Sequence, residues 1–347
     1  MWIDLEGKLY VIQKSKFTSL DVNEIRPAKL TEENQRLRVI DAEELVKRKE
    51  EFAYITCPAC ETNNYQEKFE KDGFYFVQCL KCQTYFINPR PTFEMLNEFY
   101  ESSRCMKHWK KFFSETEKSR IEHIFKPRVN QVLQLCKKYN INNKLLLDVG
   151  AGFGTFCEEI KKKNFFEKTI ALEPSHELAE ACRKKGLEVI EQPIENTHLA
   201  KVDIITNFEL IEHLFWPKDF INACSKILSN DGLFILTTPN VKGFDLLTLG
   251  KLHINFAGPN HLNYFHPKSL VMLLQNCNFK VLEILTPGKL DAEMVRNKII
   301  SNEINTKNQP FLKHILLDEW DNLGKKFQKF LVDNSLSSHL WMVVRKA

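Results

Sequence analysis

The stretch Leu145-Leu-Leu-Asp148-Val-Gly150-Ala-Gly152-Phe-Gly154-Thr155 decides the fold. An apolar run ends in an acid, breaks into alternating glycines and gives way to a helix-forming segment, which reads as a buried strand, a tight turn and a helix N-terminus. Glycine tolerates the left-handed backbone of such a turn and lets a ligand approach the main chain, while the first helical turn offers N–H groups. The spacing is GxGxG with Thr at position 155, not the GxGxxG of nicotinamide and flavin sites. The next apolar run ends at Glu173, where an acid can hold both hydroxyls of a ribose.

Outward from this turn, short apolar runs alternate with amphipathic stretches. The runs cover 145–149, 169–172, 187–190, 202–206, 233–237, 281–285 and 340–344, with helices expected to start near Thr155, His176, Pro217 and Pro267. This alternation predicts an α/β fold with a doubly wound, mostly parallel sheet. Residues 288–338 interrupt it with mostly helical material. Upstream, Asn88-Pro89-Arg90-Pro91 is a rigid stop that closes a compact segment, 51–91, before the pattern turns helical from Thr92. The expected organisation is an N-terminal extension, 1–50, with a strand at Lys8–Ile12 and a short helix around Glu32–Arg38; the compact segment 51–91; and the α/β domain, 92–347. No chemistry is assigned to the extension.

With 43% hydrophobic and 27% charged residues, 12 Gly and 13 Pro in 347 residues, the chain is globular rather than disordered or fibrous. The balance of 49 Lys+Arg against 45 Asp+Glu is too even to call for a nucleic-acid partner. The start, MWIDLEGKLY, has two acids before its first lysine, and no long apolar window occurs, so neither a signal peptide nor a membrane span is expected and the protein reads as cytoplasmic. Residues 101–140 hold ten Lys+Arg against four Asp+Glu, which reads as a solvated helix face or as a site for an anionic substrate.

Cys57-Pro-Ala-Cys60 and Cys79-Leu-Lys-Cys82 form two CxxC knuckles. Four thiolates make the closed tetrahedral shell that Zn²⁺ favours, with no position open for catalysis. Segment 51–91 is slightly acidic, so its expected job is structure or covering a substrate rather than gripping phosphate. The other six cysteines read as core residues.

A third constellation is Glu209-Leu-Ile-Glu212-His213. On a helical turn these positions converge. His213, steadied by a carboxylate, can act as general base, or Glu209, Glu212 and His213 can hold a divalent cation such as Mg²⁺, or the motif can simply shape a pocket. His253, His261 and His266 follow the fifth strand, at the carboxyl end where open α/β sheets place ligands.

DVGAGFG at 148–154, ALEPS at 171–175, VDIITNFELIEHL at 202–214 and GLFILTTPN at 232–240 resemble the class I S-adenosylmethionine-dependent methyltransferases, over about 92–347. The resemblance implies a seven-stranded sheet whose last strand, His339–Lys346, runs antiparallel. It implies S-adenosyl-L-methionine as cofactor, with Gly150, Gly152 and Gly154 lining the methionine end, Asp148 also among the cofactor-binding residues, Glu173 on the ribose, Ile194 or Glu195 at the adenine edge, and Asn207 and Phe208 facing the methionine and its methyl group. CPAC, CLKC, FINPRP and LNEFY within 57–100, HLNYFHPKSL at 261–270 and SSHLWMVVRK at 337–346 are similar to a subgroup with a zinc module ahead of the methyltransferase domain. That subgroup resembles enzymes of deoxysugar and surface-polysaccharide pathways, which implies a nucleotide-linked or polysaccharide-precursor sugar as acceptor, methylated on carbon or oxygen, and gives His261 a catalytic role beside His213, Glu212 and Glu209. The ExxEH spelling is also similar to that of ubiquinone-type O-methyltransferases and small-RNA methyltransferases, which implies the alternatives of quinone-type O-methylation with a divalent cation and of RNA methylation. The acidic cysteine segment, without basic residues interleaved with exposed aromatics, speaks against RNA. A scaffold that has lost its chemistry is opposed by Glu209, Glu212 and His213 standing beside an intact glycine loop.

Overall fold

The structure, a computed structural model, describes residues 22–347 and the backbone of two short antiparallel strands, Trp2–Ile3 and Leu9–Tyr10. Of the strand expected at Lys8–Ile12, Lys8, Val11 and Ile12 lie outside the described residues. The described chain divides into two compact units, one running to Thr116 and including Pro239–Ser269 and Ile284–Leu340, the other comprising Glu117–Thr238, Leu270–Glu283 and Trp341–Ala347. In chain order the longer strands, with one short partner, are β1 (Tyr65–Lys71), β2 (Phe74–Cys79), β3 (Tyr85–Ile87), β4 (Leu145–Val149), β5 (Lys168–Leu172), β6 (Glu188–Ile190), β7 (Val202–Phe208), β8 (Leu228–Pro239), β9 (Asn263–Tyr264), β10 (Phe279–Leu285) and β11 (His339–Lys346).

The second unit is built on a seven-stranded sheet in the order β10-β11-β8-β7-β4-β5-β6. The ladders β4–β5, β4–β7, β5–β6 and β7–β8 are parallel. Both faces of such a sheet are covered, which is why β4 and β7 are buried almost throughout and largely apolar, their side chains buried from Leu146 to Val149 and from Val202 to Asn207. The register sets Leu146 beside Ile204 and Asp148 beside Thr206. The order reverses at β4, with β5 on one side and β7 on the other, and the carboxyl ends of these strands form the switch point where α/β sheets bind ligands. Helices begin at Thr155, His176, Pro217 and Pro267, as expected. β8 starts five residues before its apolar run, because an irregularity between Leu228 and Leu233 carries the polar Ser229–Gly232 segment along the strand.

The first unit holds an antiparallel sheet of order β9-β3-β2-β1. The extension supplies its helix Ala28–Val46, longer than the short helix expected there. That helix is fixed by polar contacts: Arg38 pairs with Asp72 at 2.8 Å and donates to the Gly258 carbonyl at 3.2 Å. Its buried Asp41 carboxylate accepts from Arg104 at 2.9 Å and from the Cys105 N–H at 2.8 Å, satisfying a donor at the start of helix Arg104–Arg120. The interruption after β10 consists of helices Asp291–Ile300 and Trp320–Asp333 around a core of Leu249, Val295, Ile299, Leu316 and Leu331. The buried Asp291 carboxylate accepts from Ser337 Oγ at 2.8 Å and Ser338 Oγ at 2.6 Å, tying these helices to the residues that open β11. The compact units therefore do not follow the expected boundaries at 51 and 92, because β3 finds its partner β9 far downstream. Among the described residues, no helix is long and apolar enough to cross a membrane.

Gly243, which opens helix Phe244–Leu249, lies against the same residues. A Cβ there would sit 2.4 Å from Ser338 Cα, and a backbone atom cannot step aside as a flexible side chain can. Gly243→Ala should destabilise the protein by about 1–3 kcal/mol, read as a lowered melting temperature.

Candidate active site

The glycine turn adopts the left-handed backbone expected of it, with φ of +73° at Gly150, +57° at Gly152 and +69° at Gly154. At Gly154 a Cβ would fall 2.7 Å from Leu187 Cδ1 and 2.8 Å from Cys182 Sγ, so the smallest residue there permits close packing below the turn. At Gly152 a Cβ would meet nothing within 4 Å. This open space is bordered by Glu173, whose carboxylate accepts from the Gly152 N–H at 2.8 Å and the Ser175 N–H at 3.0 Å. Burial raises the Glu173 carboxyl above its usual range.

Asp148 lies beneath the turn rather than on it. Thr206 Oγ1 donates to its carboxylate at 2.6 Å, and burial pushes the carboxyl up to about 7. Asn207 is fully buried; its Nδ2 donates to the Val149 carbonyl at 2.9 Å and its Oδ1 has no partner among the described residues. Phe208 packs edge-on to Phe156, with ring centroids 4.7 Å apart. The Arg128 guanidinium covers Phe208, 4.3 Å from the ring centroid, in the electrostatic field of Glu209, Asp148 and Glu212.

Residues 209–213 are not a regular helical turn. Glu209 has a left-handed backbone, φ +55°, and residues 211–213 form a turn in which the His213 N–H donates to the Leu210 carbonyl at 2.9 Å. Each carboxylate is held by a threonine of β8: Thr237 Oγ1 donates to Glu209 at 2.6 Å, and Thr238 Oγ1 to Glu212 at 2.9 Å. Burial, and then the nearby Glu209, hold the Glu212 carboxyl well above its usual range. His213 is half-buried. Ile194 is buried, whereas Glu195 is exposed and lines a surface cavity with Asp219, Asn222 and Lys226.

His253, His261, His266 and the four paired cysteines belong to the first unit. His261 Nδ1 donates to the Asn255 carbonyl at 3.0 Å. His253 is buried, its Nδ1 accepting from the Asn255 N–H at 3.0 Å and its Nε2 donating to Asp245 at 2.9 Å. His266 is also buried and donates from Nε2 to the Cys82 carbonyl at 2.8 Å. The sulfurs of Cys57 and Cys82 are 3.4 Å apart, those of Cys60 and Cys79 3.5 Å, and all four lie within 4.8 Å of one another. Sulfurs in a tetrahedral zinc shell stand roughly 3.8 Å apart, so the donor set fits that ion with little adjustment. The Cys82 sulfur and burial push the Cys57 thiol up, and burial pushes Cys60 up to about 12. The Cys82 thiol goes the other way, lowered to about 5 chiefly by its hydrogen bond with Cys57, so the cluster already offers a cation one thiolate. The other six cysteines are buried.

Sequence reasoning missed Arg128, which sits in the basic run 101–140. Of its neighbours there, Arg104 pairs with Asp41, Lys126 with Glu122 and Lys138 with Glu283. The one signal at Arg128 was a cation within an otherwise apolar repeat of Val129, Val132 and Cys136.

Residues 120–284 match a family model described as a methyltransferase domain. With the seven-stranded sheet, this defines the class: a Rossmann-like α/β methyltransferase fold. The chain is 28% identical over 146 residues to a ubiquinone biosynthesis O-methyltransferase of Actinobacillus pleuropneumoniae, covering 38% of this chain and 62% of that protein. It is 23% identical over 203 residues to the protein of the same description in Psychrobacter cryohalolentis, covering 53% and 72%. The chain thus spans less than two thirds of the length of the Actinobacillus relative. Among solved structures it is similar to an S-adenosylmethionine-dependent methyltransferase of Clostridium acetobutylicum, 14% identical, with a TM-score of 0.46, covering 70% of this chain and all of that one.

Asp148 generates a pH test. Its value rises from 3.8 to about 7, so the neutral form is the one folding favours. The stabilisation is complete below the unfolded value and lost as pH rises through about 7. Asp148→Asn keeps an acceptor for Thr206 without the charge. The variant should therefore gain stability relative to wild type as pH rises from about 4 to about 7, by at most about 4 kcal/mol, and keep that gain above pH 7. Denaturant unfolding at several pH values reads this; parallel stability curves would show that Asp148 does not titrate in this range.

Proposed function

We propose that the protein is an S-adenosyl-L-methionine-dependent methyltransferase acting on a small-molecule acceptor. The observation that carries this reading is the open space beside Gly152, bordered by the Glu173 carboxylate, in a turn at the switch point of the sheet. The cofactor, when bound, supplies an electrophilic sulfonium methyl group. Glu173 would hold the ribose hydroxyls, Asn207 Oδ1 would accept from the amino group, and Arg128 would carry the carboxylate at the methionine end. Ile194 and Glu195 remain the candidates for the adenine edge.

For the acceptor, we take His213 as the base. It would remove the hydroxyl proton as the oxygen–carbon bond forms and the carbon–sulfur bond breaks. Glu209 and Glu212, fixed by Thr237 and Thr238, limit the positions open to the turn that carries it. His261, in the first unit, is proposed separately as a catalytic residue. The acceptor we propose is a nucleotide-linked or polysaccharide-precursor sugar. A second reading is quinone-type O-methylation, which draws on relatives described as ubiquinone biosynthesis O-methyltransferases, with a divalent cation proposed on the ExxEH residues. Four-cysteine binding of Zn²⁺, supported by the sulfur spacing, completes the proposal.

Gly152→Val should abolish cofactor binding by filling the open space, and Glu173→Ala should weaken it by about 1.5–3 kcal/mol through lost hydrogen bonds to a charged acceptor. Calorimetry with unchanged affinity in both variants would remove the methyltransferase reading.

His213→Ala should leave cofactor affinity nearly intact and lower turnover by about 10²–10⁴, with a defect that shrinks as pH rises. Turnover should be measured on a panel of nucleotide sugars and quinone precursors. If a cation is needed instead, removing loosely bound metal should stop the wild type, Mg²⁺ should restore it, and Glu209→Ala and Glu212→Ala should be as damaging as the histidine change.

A further inference from the structure

The four-cysteine module does not end at Pro91. β3, the strand that leaves the second knuckle, pairs antiparallel with β9, setting Asn263 beside Phe86 and Tyr264 beside Tyr85. The Ile87 N–H donates to the Leu262 carbonyl at 3.0 Å. Arg90 is completely buried and donates to the Ile87 carbonyl at 3.1 Å, the Leu262 carbonyl at 3.2 Å and Asn263 Oδ1 at 3.1 Å. On the other side of the same segment, Phe256 packs edge-on against Phe69 and Phe76, at centroid distances of 5.0 and 5.6 Å. Tyr264 lies 5.0 Å from Phe256, and its hydroxyl takes the Ala257 N–H at 3.2 Å.

One contact reaches the metal-binding knuckle itself. His266 Nε2 donates to the carbonyl of Cys82, the last of the four cysteines, whose own N–H points at Cys79 Sγ, 3.4 Å away. The orientation of the Cys82 peptide is thus set by a sulfur on one side and by His266 on the other. Between these anchors the chain carries His261, whose ring is oriented by the Asn255 carbonyl and whose N–H donates to the Ala257 carbonyl at 3.0 Å.

We propose that the metal-loaded cysteine module is a clamp for residues 255–266, with His266 and Arg90 as positioning residues that fix the ring of His261. The proposal rests on the reading of the cysteines as a zinc site, but not on methyl transfer. Without the metal, four crowded sulfurs have no common centre, the second knuckle loses its turn, and the Cys82 carbonyl and β3 no longer offer a fixed template for β9. The segment then keeps its aromatic contacts but loses its register.

The test is hydrogen exchange on the full chain, read by peptide. Elemental analysis should first find about one zinc per chain. Stripping the zinc with a chelator should speed exchange of 255–266 about tenfold or more, together with 57–87, and leave 145–160 unchanged. His266→Ala, still metal-loaded, should speed exchange in 260–266, and His266→Gln, whose amide can donate to the same carbonyl, should restore protection. His266→Leu, which fills similar space without a donor, should not show that rescue. The imidazole NMR signals of His261 should shift on metal removal and in His266→Ala but not in His266→Gln. A protein with no bound metal overturns both the zinc reading and the clamp. Metal removal that loosens 57–87 and leaves 255–266 protected overturns the clamp alone, and this outcome stands even if His266→Ala fails to fold.

Discussion

The second unit depends on a reversal of the chain between β4 and the helix that starts at Thr155. A parallel strand must be followed by a crossover, and here only five residues separate the last strand residue from the first helical one. That connection demands three left-handed positions, at Gly150, Gly152 and Gly154. A side chain at 154 would strike the helix beneath, whereas a side chain at 152 would enter open space. The same turn therefore meets two needs: one glycine serves packing, the other leaves room for a ligand. The hydrogen bond from Thr206 to Asp148 joins β7 to β4 just below it, so the strands that flank the switch point are held together where the backbone is most contorted.

Much of this was legible because the strands of a parallel sheet are buried on both faces. Their apolar runs stand out at 145–149 and 202–206, and prolines at 217 and 267 mark helix starts, since proline suits the first helical turn. The ends were less legible. β8 runs through Ser229–Gly232, polar residues that a search for apolar runs passes over. The helix Ala28–Val46 is anchored by Arg38 and Asp41 rather than by an apolar stripe, so periodicity understated it.

The site divides in the same way. Residues at fixed offsets from the glycine turn could be numbered from sequence: Glu173 at the end of the next strand, Asn207 and Phe208 at the end of β7. Arg128 could not, because it reaches Phe208 from a helix that precedes β4, and no local spacing records that approach. The ExxEH motif was legible only in part: the left-handed backbone at Glu209 takes it out of a helical turn, yet Glu212 and His213 still bring ligand atoms within 4.8 Å of each other. Spacing also could not distinguish His261 from His253 and His266, whose rings are committed to Asp245 and to the Cys82 carbonyl.

The pairing of β3 with β9 also bears on how the chain acquires its structure. Arg90 and its acceptor Leu262 are 172 positions apart. During synthesis the cysteine hairpins emerge early, yet the outer edge of β3 stays unpaired until the β9 segment leaves the ribosome, after β4 to β8 have been made. Contacts of such long range form slowly, and an open strand edge invites wrong partners meanwhile. The first unit can therefore close only after most of the sheet of the second has been synthesised, which makes the order of assembly run against the order of the sequence.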